Sequence, residues 1–399
     1  MYQAKHSISL LFNANKVYDR QVIEGIGHYL QSSKVDWDVY LEEDFLARLE
    51  HIDEWSGDGI IADFDDPAIQ AALVNSKVPI VGVGGSYSNE SDYPNVPYVA
   101  TDNYAVVKAA YEHLKKKGLE RFAFYGFPSD MNHRWAIERE RAMLKLCKQD
   151  GYDCSVYRGH TTRPETWQYS MNRLTDWIQG LPNPVGIVSV TDARARHILQ
   201  ACEHAGKLVP DNISIVGIDD DDIARNLSRI SLSSVTQGCF DMGFQAAKLL
   251  HRYLDNPNLK SKRVMVSPVG VSERQSTDFK ALKDPFVIQA MHYIRQNACR
   301  GIKVEQVLDY VGVSRSNLEQ RFREERGHSI HTEIHNEKLA KACKLLSQED
   351  MSTNEVAQVC GYPSLQYMYA VFKKHFDQTP REFRDGTSKA DAAEMLEEA

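Results

Sequence analysis

Tyr18, Asp19, Arg134, Trp135, Thr191, Asp219 and Gln237 are scattered along the chain, yet each comes shortly after or at the end of a β-rich run. Tyr18 and Asp19 follow SISLLFNA, Arg134 and Trp135 follow RFAFYGF, Thr191 ends VGIVSVT, Asp219 ends ISIVGID, and Gln237 follows SSVT. Together they offer two carboxylates, a guanidinium, an amide, a hydroxyl and two aromatic rings. That mixture suits a neutral polyol. Charged groups exchange paired hydrogen bonds with adjacent hydroxyls, and flat rings cover the apolar C–H face. Plainer roles stay open. Asp19 can cap the helix that follows it, Asp192 is read first as such a cap, and Trp135 can fill a core. The acid run at 219–222 offers a metal nothing obvious, because four consecutive carboxylates cannot face one ion without a special loop and no calcium-loop spacing follows.

Covalent chemistry finds less support. The chain has no Gly-x-Ser-x-Gly elbow, no Gly-x-x-x-x-Gly-Lys phosphate loop and no His-Glu-x-x-His. None of its 14 histidines stands beside a candidate nucleophile at a strand end. The glycine-rich GVGGS at 82–86 lacks the dinucleotide spacing and is expected to be a tight crossover turn. No enzyme activity, catalytic residue, cofactor or metal site is expected. The seven cysteines never form a Cys-x-x-Cys pair, which fits reduced thiols and a cytoplasmic protein. The N-terminal apolar run is too short for a secretory signal, and no window reaches the ~20 apolar residues of a membrane span. A formal net charge of −8 argues against indiscriminate coating of nucleic acid and leaves room for a local basic surface.

The elements that must position these groups fall into two kinds. At 399 residues the chain exceeds the ~250–300 residues at which single cores stop growing, so two or three domains are expected. From residue 7 to about 270, apolar runs at 7–14, 58–64, 79–85, 121–127, 185–192 and 213–220 alternate with helical patterns such as those at 19–31 and 103–118. Such alternation predicts parallel sheets covered on both faces, and the length suits two lobes. Residues 1–275 are therefore expected to form a two-lobed α/β domain with two parallel, doubly wound sheets. Residues 276–284 are expected to be a linker, and Asp284-Pro285 opens a helix as cap and first residue.

Beyond it the pattern is all helical to about residue 386, followed by an acidic tail at 387–399. The stretches 304–327 and 354–377 repeat each other, with Gly312 matching Gly361 at a shift of 49, and Leu318 and Phe322 matching Met368 and Phe372 at a shift of 50. Each repeat is a helix, a glycine turn and a second helix, the layout of a helix-turn-helix, whose second helix enters the DNA major groove. In the first unit that helix offers Arg315, Ser316, Asn317, Glu319 and Gln320, and in the second Ser364, Gln366 and Tyr367. Gln366 can pair with adenine, Tyr367 can touch a base edge, and Ser364 can bind phosphate. Basic residues follow each aromatic anchor, Arg323 after Phe322 and Lys373 after Phe372. Residues 284–386 carry 14 Lys and Arg against 14 Asp and Glu, so any basic footprint comes from placement.

Two resemblances join these halves. The run Ser314-x-x-x-Leu318-x-x-x-Phe322, the pairs Lys338-Leu339 and Leu345-Leu346, and CGYPS with FKKHFDQTPREFR resemble the DNA-binding domain of arabinose-regulator (AraC/XylS) proteins. Ala370 and Asp377 depart from that pattern, where many members carry arginine and glycine. VTDARA, SIVGIDD and SSVTQGCFDMG resemble the sensor part of lactose-repressor-type regulators, relatives of periplasmic sugar-binding proteins. Over nearly its whole length, through LLFNANKVYDRQV, IADFDD, VGVGGSY, TDARARHILQ and IQAMHYIR, the chain is similar to the xylose-responsive regulators. The resemblance implies D-xylose as effector and activation of xylose uptake and catabolism genes. The expected working form is a homodimer on double-stranded promoter DNA, with RNA polymerase as a further partner. It also implies that Asp19, Arg134, Thr191, Asp219 and Gln237 line the sugar cleft. Two competing readings remain: a regulator answering to another pentose, and a carbohydrate-binding protein without DNA activity.

Overall fold

The computed structural model describes residues 5–33, 35–41, 44–131, 133–257, 259–278, 282, 284–348 and 351–386. It divides the chain into two compact units, Met1–Asp278 and Phe279–Ala399. The acidic tail expected at 387–399 lies outside the described residues.

Among the described residues the first unit holds twelve strands: β1 (His6–Leu11), β2 (Trp37–Tyr40), β3 (Gly59–Asp63), β4 (Ile80–Gly85), β5 (Tyr98–Thr101), β6 (Phe122–Tyr125), β7 (Cys154–Tyr157), β8 (Val185–Ser189), β9 (Ile213–Ile218), β10 (Ser233–Thr236), β11 (Arg263–Val266) and β12 (Gly270–Ser272). They form two six-stranded sheets, in the orders β11-β5-β4-β3-β1-β2 and β12-β10-β9-β8-β6-β7. Every pairing is parallel except that of β10 with β12. The central strands show why. GIIAD in β3 and ISIVGI in β9 are buried at every residue, which requires helices on both faces and rules out one wet face.

Each sheet makes one lobe, and the chain crosses between the lobes three times: after β5, after β10, and between β11 and β12. The helix Cys239–Asp255 returns to the first lobe, where Met242, Ala246 and Leu250 join Ile8, Leu10, Val22 and Ile26 in one core. A separate core in the second lobe gathers Ile187, Ile198, Ile215 and Leu232.

Two expectations need correcting. GVGGS is not a turn: Gly82, Gly84 and Gly85 belong to β4, and a Cβ on Gly84 would come within 2.4 Å of the Tyr98 hydroxyl. Gly82 and Gly84 leave room for the Tyr98 side chain, and Gly85 leaves room for the Asn103 amide. Ser276 and Thr277, expected at the start of a linker, belong to the first unit. Ser276 and Thr277 are fully buried, with Ser276 donating to Ile215 O at 2.6 Å and Thr277 Oγ1 lying 2.7 Å from Ser233 Oγ. Polar side chains here dock on a sheet edge, so their polarity mimicked a linker.

In the second unit, Asp284 caps the helix Pro285–Asn297, accepting from Phe286 N at 2.9 Å and Val287 N at 3.3 Å. The helices Val304–Val311 and Arg315–Arg326 form the first helix-turn-helix, and Thr353–Val359 and Leu365–Phe376 the second. The helix Ile330–Gln348 joins them. Its Ile330 and Ile334 pack with Leu318 and Phe322, while Leu339, Ala342 and Leu346 pack with Met368 and Phe372. Each unit thus has its own core around its own aromatic anchor, and one helix serves both.

Candidate ligand cleft and nucleic-acid interface

A cavity of about 470 Å³ opens between the lobes of the first unit. Its walls are the C-terminal ends of the strands, as open α/β sheets require. The first lobe supplies Lys16, Tyr18 and Asp19 after β1, Asp63 and Asp65 at and beyond the end of β3, Gly85 at the end of β4, and Thr101 and Asn103 at and beyond the end of β5. The second supplies Phe127, His133, Trp135 and Arg139 beyond β6, Thr191 beyond β8, Asp219 beyond β9 and Gln237 beyond β10.

Six of the seven residues expected from the sequence line this cavity, and Arg134 does not. Its guanidinium donates to Gly85 O at 3.0 Å and Ser86 O at 2.5 Å, pairs with Asp65, and stacks 3.6 Å from the Tyr87 ring centroid. It braces the first lobe's wall from behind. The guanidinium inside the cavity belongs to Arg139, five residues further along the same helix. Both arginines look equivalent in sequence, and only the turn of the helix separates them.

Arg139 is 4% exposed and donates to Asn103 Oδ1 at 3.1 Å, Val190 O at 2.7 Å and Gln237 Oε1 at 2.6 Å. The Gln237 amide passes the polarity on, donating to Asp219 Oδ1 at 2.5 Å. Burial pushes the Asp219 carboxyl up to about 7, against the pull of Arg139. Asp219 also has a φ of 120°, a backbone conformation rare outside glycine. Across the cavity, Asp19 is fully buried inside the helix Val17–Ser33, so it is no N-cap. Its Oδ2 accepts from Asn13 N at 2.6 Å while its Oδ1 has no hydrogen-bond partner among the described residues. Burial and the neighbouring Asp63 hold its carboxyl well above the usual range. Lys16 reaches Asp63 at 2.8 Å; burial opposes its charge, but Asp63 and Asp19 outweigh it and keep the ammonium above the ordinary lysine range.

The apolar side is a ring cluster. Trp135 is half-buried, 5.4 Å from the Phe127 ring, 5.7 Å from the His133 ring and 4.9 Å from the Arg139 guanidinium. Tyr18 donates to Met242 Sδ at 3.7 Å. Thr191 is the N-cap of the helix Asp192–Ala205, so Asp192 is not. Asp192 is buried instead, accepting from Asp221 N at 2.8 Å and Ser234 Oγ at 2.7 Å, which ties the loop after β9 to β10. The remaining acids of the 219–222 run turn to separate partners: Asp220 to Arg274 at 2.6 Å, Asp221 to Ile223 N at 3.0 Å and Asp222 to Arg225 at 2.8 Å.

Asp65, Asn103, Phe127, His133 and Arg139 escaped sequence reading. IADFDD ends a strand that the sequence shows plainly, so the strand-end rule could have found Asp65. The short β5 carried no such signal, and Asn103 was lost with it.

In the second unit, Arg315, Ser316, Asn317 and Gln320 are exposed on the helix Arg315–Arg326, with Glu319 half-buried. Arg315 pairs with Glu305 at 3.1 Å, and Gln320 donates to Glu324 at 2.9 Å. On the helix Leu365–Phe376, Gln366, Tyr367 and Lys373 are exposed. Ser364 is its N-cap and accepts from Tyr367 N at 3.2 Å, while Lys373 donates to Asp377 O at 2.6 Å. Glycines make both turns possible, Gly312 at φ 77° and Gly361 at φ 66°. No helix among the described residues is long and apolar enough to cross a membrane.

Comparison with known proteins agrees with this architecture. Residues 7–104 match the XylR N-terminal domain, 111–277 a periplasmic binding protein-like domain, and 307–386 a helix-turn-helix domain. The chain is 58% identical to the xylose operon regulatory protein of Escherichia coli K12 over 389 residues, 98% of this chain and 99% of that one. It is 49% identical to the protein of the same name from Haemophilus influenzae, over 96% of this chain and 99% of that one. A solved structure of the xylose-binding transcription activator XylR superposes with a TM-score of 0.89 at 57% identity, covering 98% of this chain and all of the other. Two parallel-sheet lobes around a polar cleft, a tandem helix-turn-helix, and this degree of identity over the full length place the chain in the family of xylose operon regulatory proteins, which are transcription regulators and not enzymes.

Proposed function

We propose that the chain is a D-xylose-responsive activator of transcription, acting in the cytoplasm as a homodimer that engages RNA polymerase at promoters of xylose uptake and catabolism genes. The observation that carries this reading is the pairing, in one chain, of a cleft chemically suited to a neutral polyol with two exposed reader helices. Its relatives' names supply the sugar.

In the cleft, the free Oδ1 of Asp19 and the carboxylate of Asp219 accept from sugar hydroxyls. Arg139, Asn103, Gln237 and Thr191 supply the complementary polar groups. Tyr18, Phe127 and Trp135 cover the C–H face. Arg134 acts behind the wall, through Asp65. These groups come from both lobes, so the ligand is fully satisfied only when the lobes close, and binding favours the closed state. On DNA, Arg315, Ser316, Asn317, Glu319 and Gln320 face one major groove and Gln366 and Tyr367 the next, about 34 Å along the duplex. Ser364 and Lys373 take phosphates. Closure alters the spacing of the readers in a dimer, which couples sugar and DNA affinity reciprocally by about 1–3 kcal/mol.

The test is titration of full-length protein onto its own upstream DNA at two salt concentrations, with D-xylose and with a panel of other pentoses. Tightening or an altered footprint specific to D-xylose supports the reading. A response to another pentose moves the effector assignment, and absence of salt-sensitive binding leaves a carbohydrate-binding protein without DNA activity.

A further inference from the structure

Among the residues on the first reader helix, Asn317 is held in a way the others are not. Its Oδ1 accepts from Arg321 Nε at 2.7 Å, one helical turn away. Arg321 is itself anchored: its Nη1 donates to Asp284 Oδ2 at 2.6 Å, and its guanidinium lies 5.1 Å from the Phe286 ring centroid. Asp284 is fixed in turn, capping the helix Pro285–Asn297 with Oδ1 and donating its backbone N–H to the Glu325 carboxylate at 3.0 Å. The capped helix packs through Val287, Ala290 and Met291 against Leu318 and Phe322, the buried side of the reader helix. The exposed amide is therefore connected by direct contacts to a packed core.

The chemistry of the contact sets the orientation of the amide. A guanidinium has donors only, so the amide must turn its oxygen toward Arg321. The Nδ2 donor, which makes no hydrogen bond among the described residues, is the half left for a partner. A free asparagine amide presents either face after a half-turn; this one does not. We propose that Arg321 is a positioning residue for DNA reading: with Asp284 it locks the amide of Asn317 so that its donor meets an acceptor-bearing base edge, such as purine N7 or guanine O6. The proposal rests on the reading of Arg315–Arg326 as a base-reading helix.

The bland account is a surface ion pair that adds stability. Arg321 and Asp284 are 39% and 20% exposed, a setting in which such pairs contribute little. The second repeat also does without it: at the shift of 50, Tyr367 and Val371 stand where Asn317 and Arg321 do, so the domain's packing scheme does not require the relay.

The experiment is selection of duplexes from a randomised double-stranded DNA library by the full-length protein with D-xylose present, followed by affinity measurement on the selected duplex and on a random one. Variants are N317A, R321M, R321K and the double variant N317A/R321M, with thermal unfolding of each recorded. N317A is expected to erase base preference at one or two positions. R321M is expected to erase preference at those same positions and to weaken the selected duplex about five- to tenfold, leaving the random duplex within about twofold. The double variant should bind no more weakly than N317A alone. R321K keeps the charge but lacks two donor edges in one plane, so it should reproduce most of the loss; it serves if R321M does not fold. Retained preference at the Asn317 positions in R321M or R321K overturns the proposal. So does equal weakening of both duplexes, or a loss additive with N317A. A wild-type protein that selects no sequence instead overturns the base-reading assignment, and it does so before any variant is made.

Discussion

Arg139 Nη2 and Gln237 Oε1 lie 2.6 Å apart in the buried wall of the cleft, and the same amide donates onward to Asp219. The three side chains form one hydrogen-bonded unit. Removing any member leaves a buried polar or charged neighbour without its partner, which costs more than the bond itself contributed.

Arg139→Met should therefore weaken D-xylose binding by about 1–3 kcal/mol, the cost of leaving buried hydrogen-bonding groups without a partner. Arg134→Met, which acts only through Asp65 and the end of β4, should cost distinctly less. Calorimetry on the two variants separates them. Equal losses would put Arg134 in contact with the sugar after all.

The acidity of Asp219 sets a pH dependence. Its carboxyl lies near 7 in the folded protein against an ordinary 3.8, so the native state holds that proton more tightly than the unfolded chain does. The resulting stabilisation is fully present below about pH 4 and is lost as pH rises through about 7, at no more than about 1.4 kcal/mol per pH unit. Asp65, raised to about 6 by burial, works in the same direction. Sugar hydroxyls donate to the ionised form, so binding should release protons near pH 7 and affinity should rise from pH 6 to 8. Binding heats in two buffers of different ionisation enthalpy report the release, and Asp219→Asn should abolish its part of it.

On the second reader helix, Gln366→Ala should cost about 1–3 kcal/mol on cognate DNA and little on random DNA. Lys373→Ala should weaken both alike and reduce the salt slope by about one. Fluorescence titrations at several salt concentrations check both, and a uniform loss from Gln366→Ala would remove its role in base reading.

The two turns respond differently to alanine. Gly312 has open space where a Cβ would stand, whereas a Cβ on Gly361 would lie 2.3 Å from Cys299 O. Gly312→Ala should cost about 1–2 kcal/mol for the left-handed backbone alone, and Gly361→Ala clearly more. Asp377 sits in the same left-handed region at φ 52°, where the first repeat has Gly327. Asp377→Gly should thus stabilise the domain slightly. Denaturant unfolding monitored on the C-terminal transition measures all three.

Periodicity was enough to read the alternating strands and helices, the repeat with its offset, the Asp284 cap and the aromatic anchors Phe322 and Phe372, because each rests on neighbours within a turn or two of backbone. The strand-end rule put Asp19, Asp219 and Gln237 at the edge where the cavity opens for a related reason: a strand followed by a helix sends its next residues to one edge of a sheet. Three things needed the assembled molecule. Short strands such as β2, β5 and β7 form only because a paired neighbour completes them, so Asn103 had no local signal. Ser276 and Thr277 belong to a buried docking site, since hydrogen bonds from Ser233 and to Ile215, distant in sequence, satisfy their hydroxyls. The choice between Arg134 and Arg139 turns on which face of one helix looks into the space between two lobes. A sequence carries the period of that helix, but its rotation about its own axis is set by what it packs against.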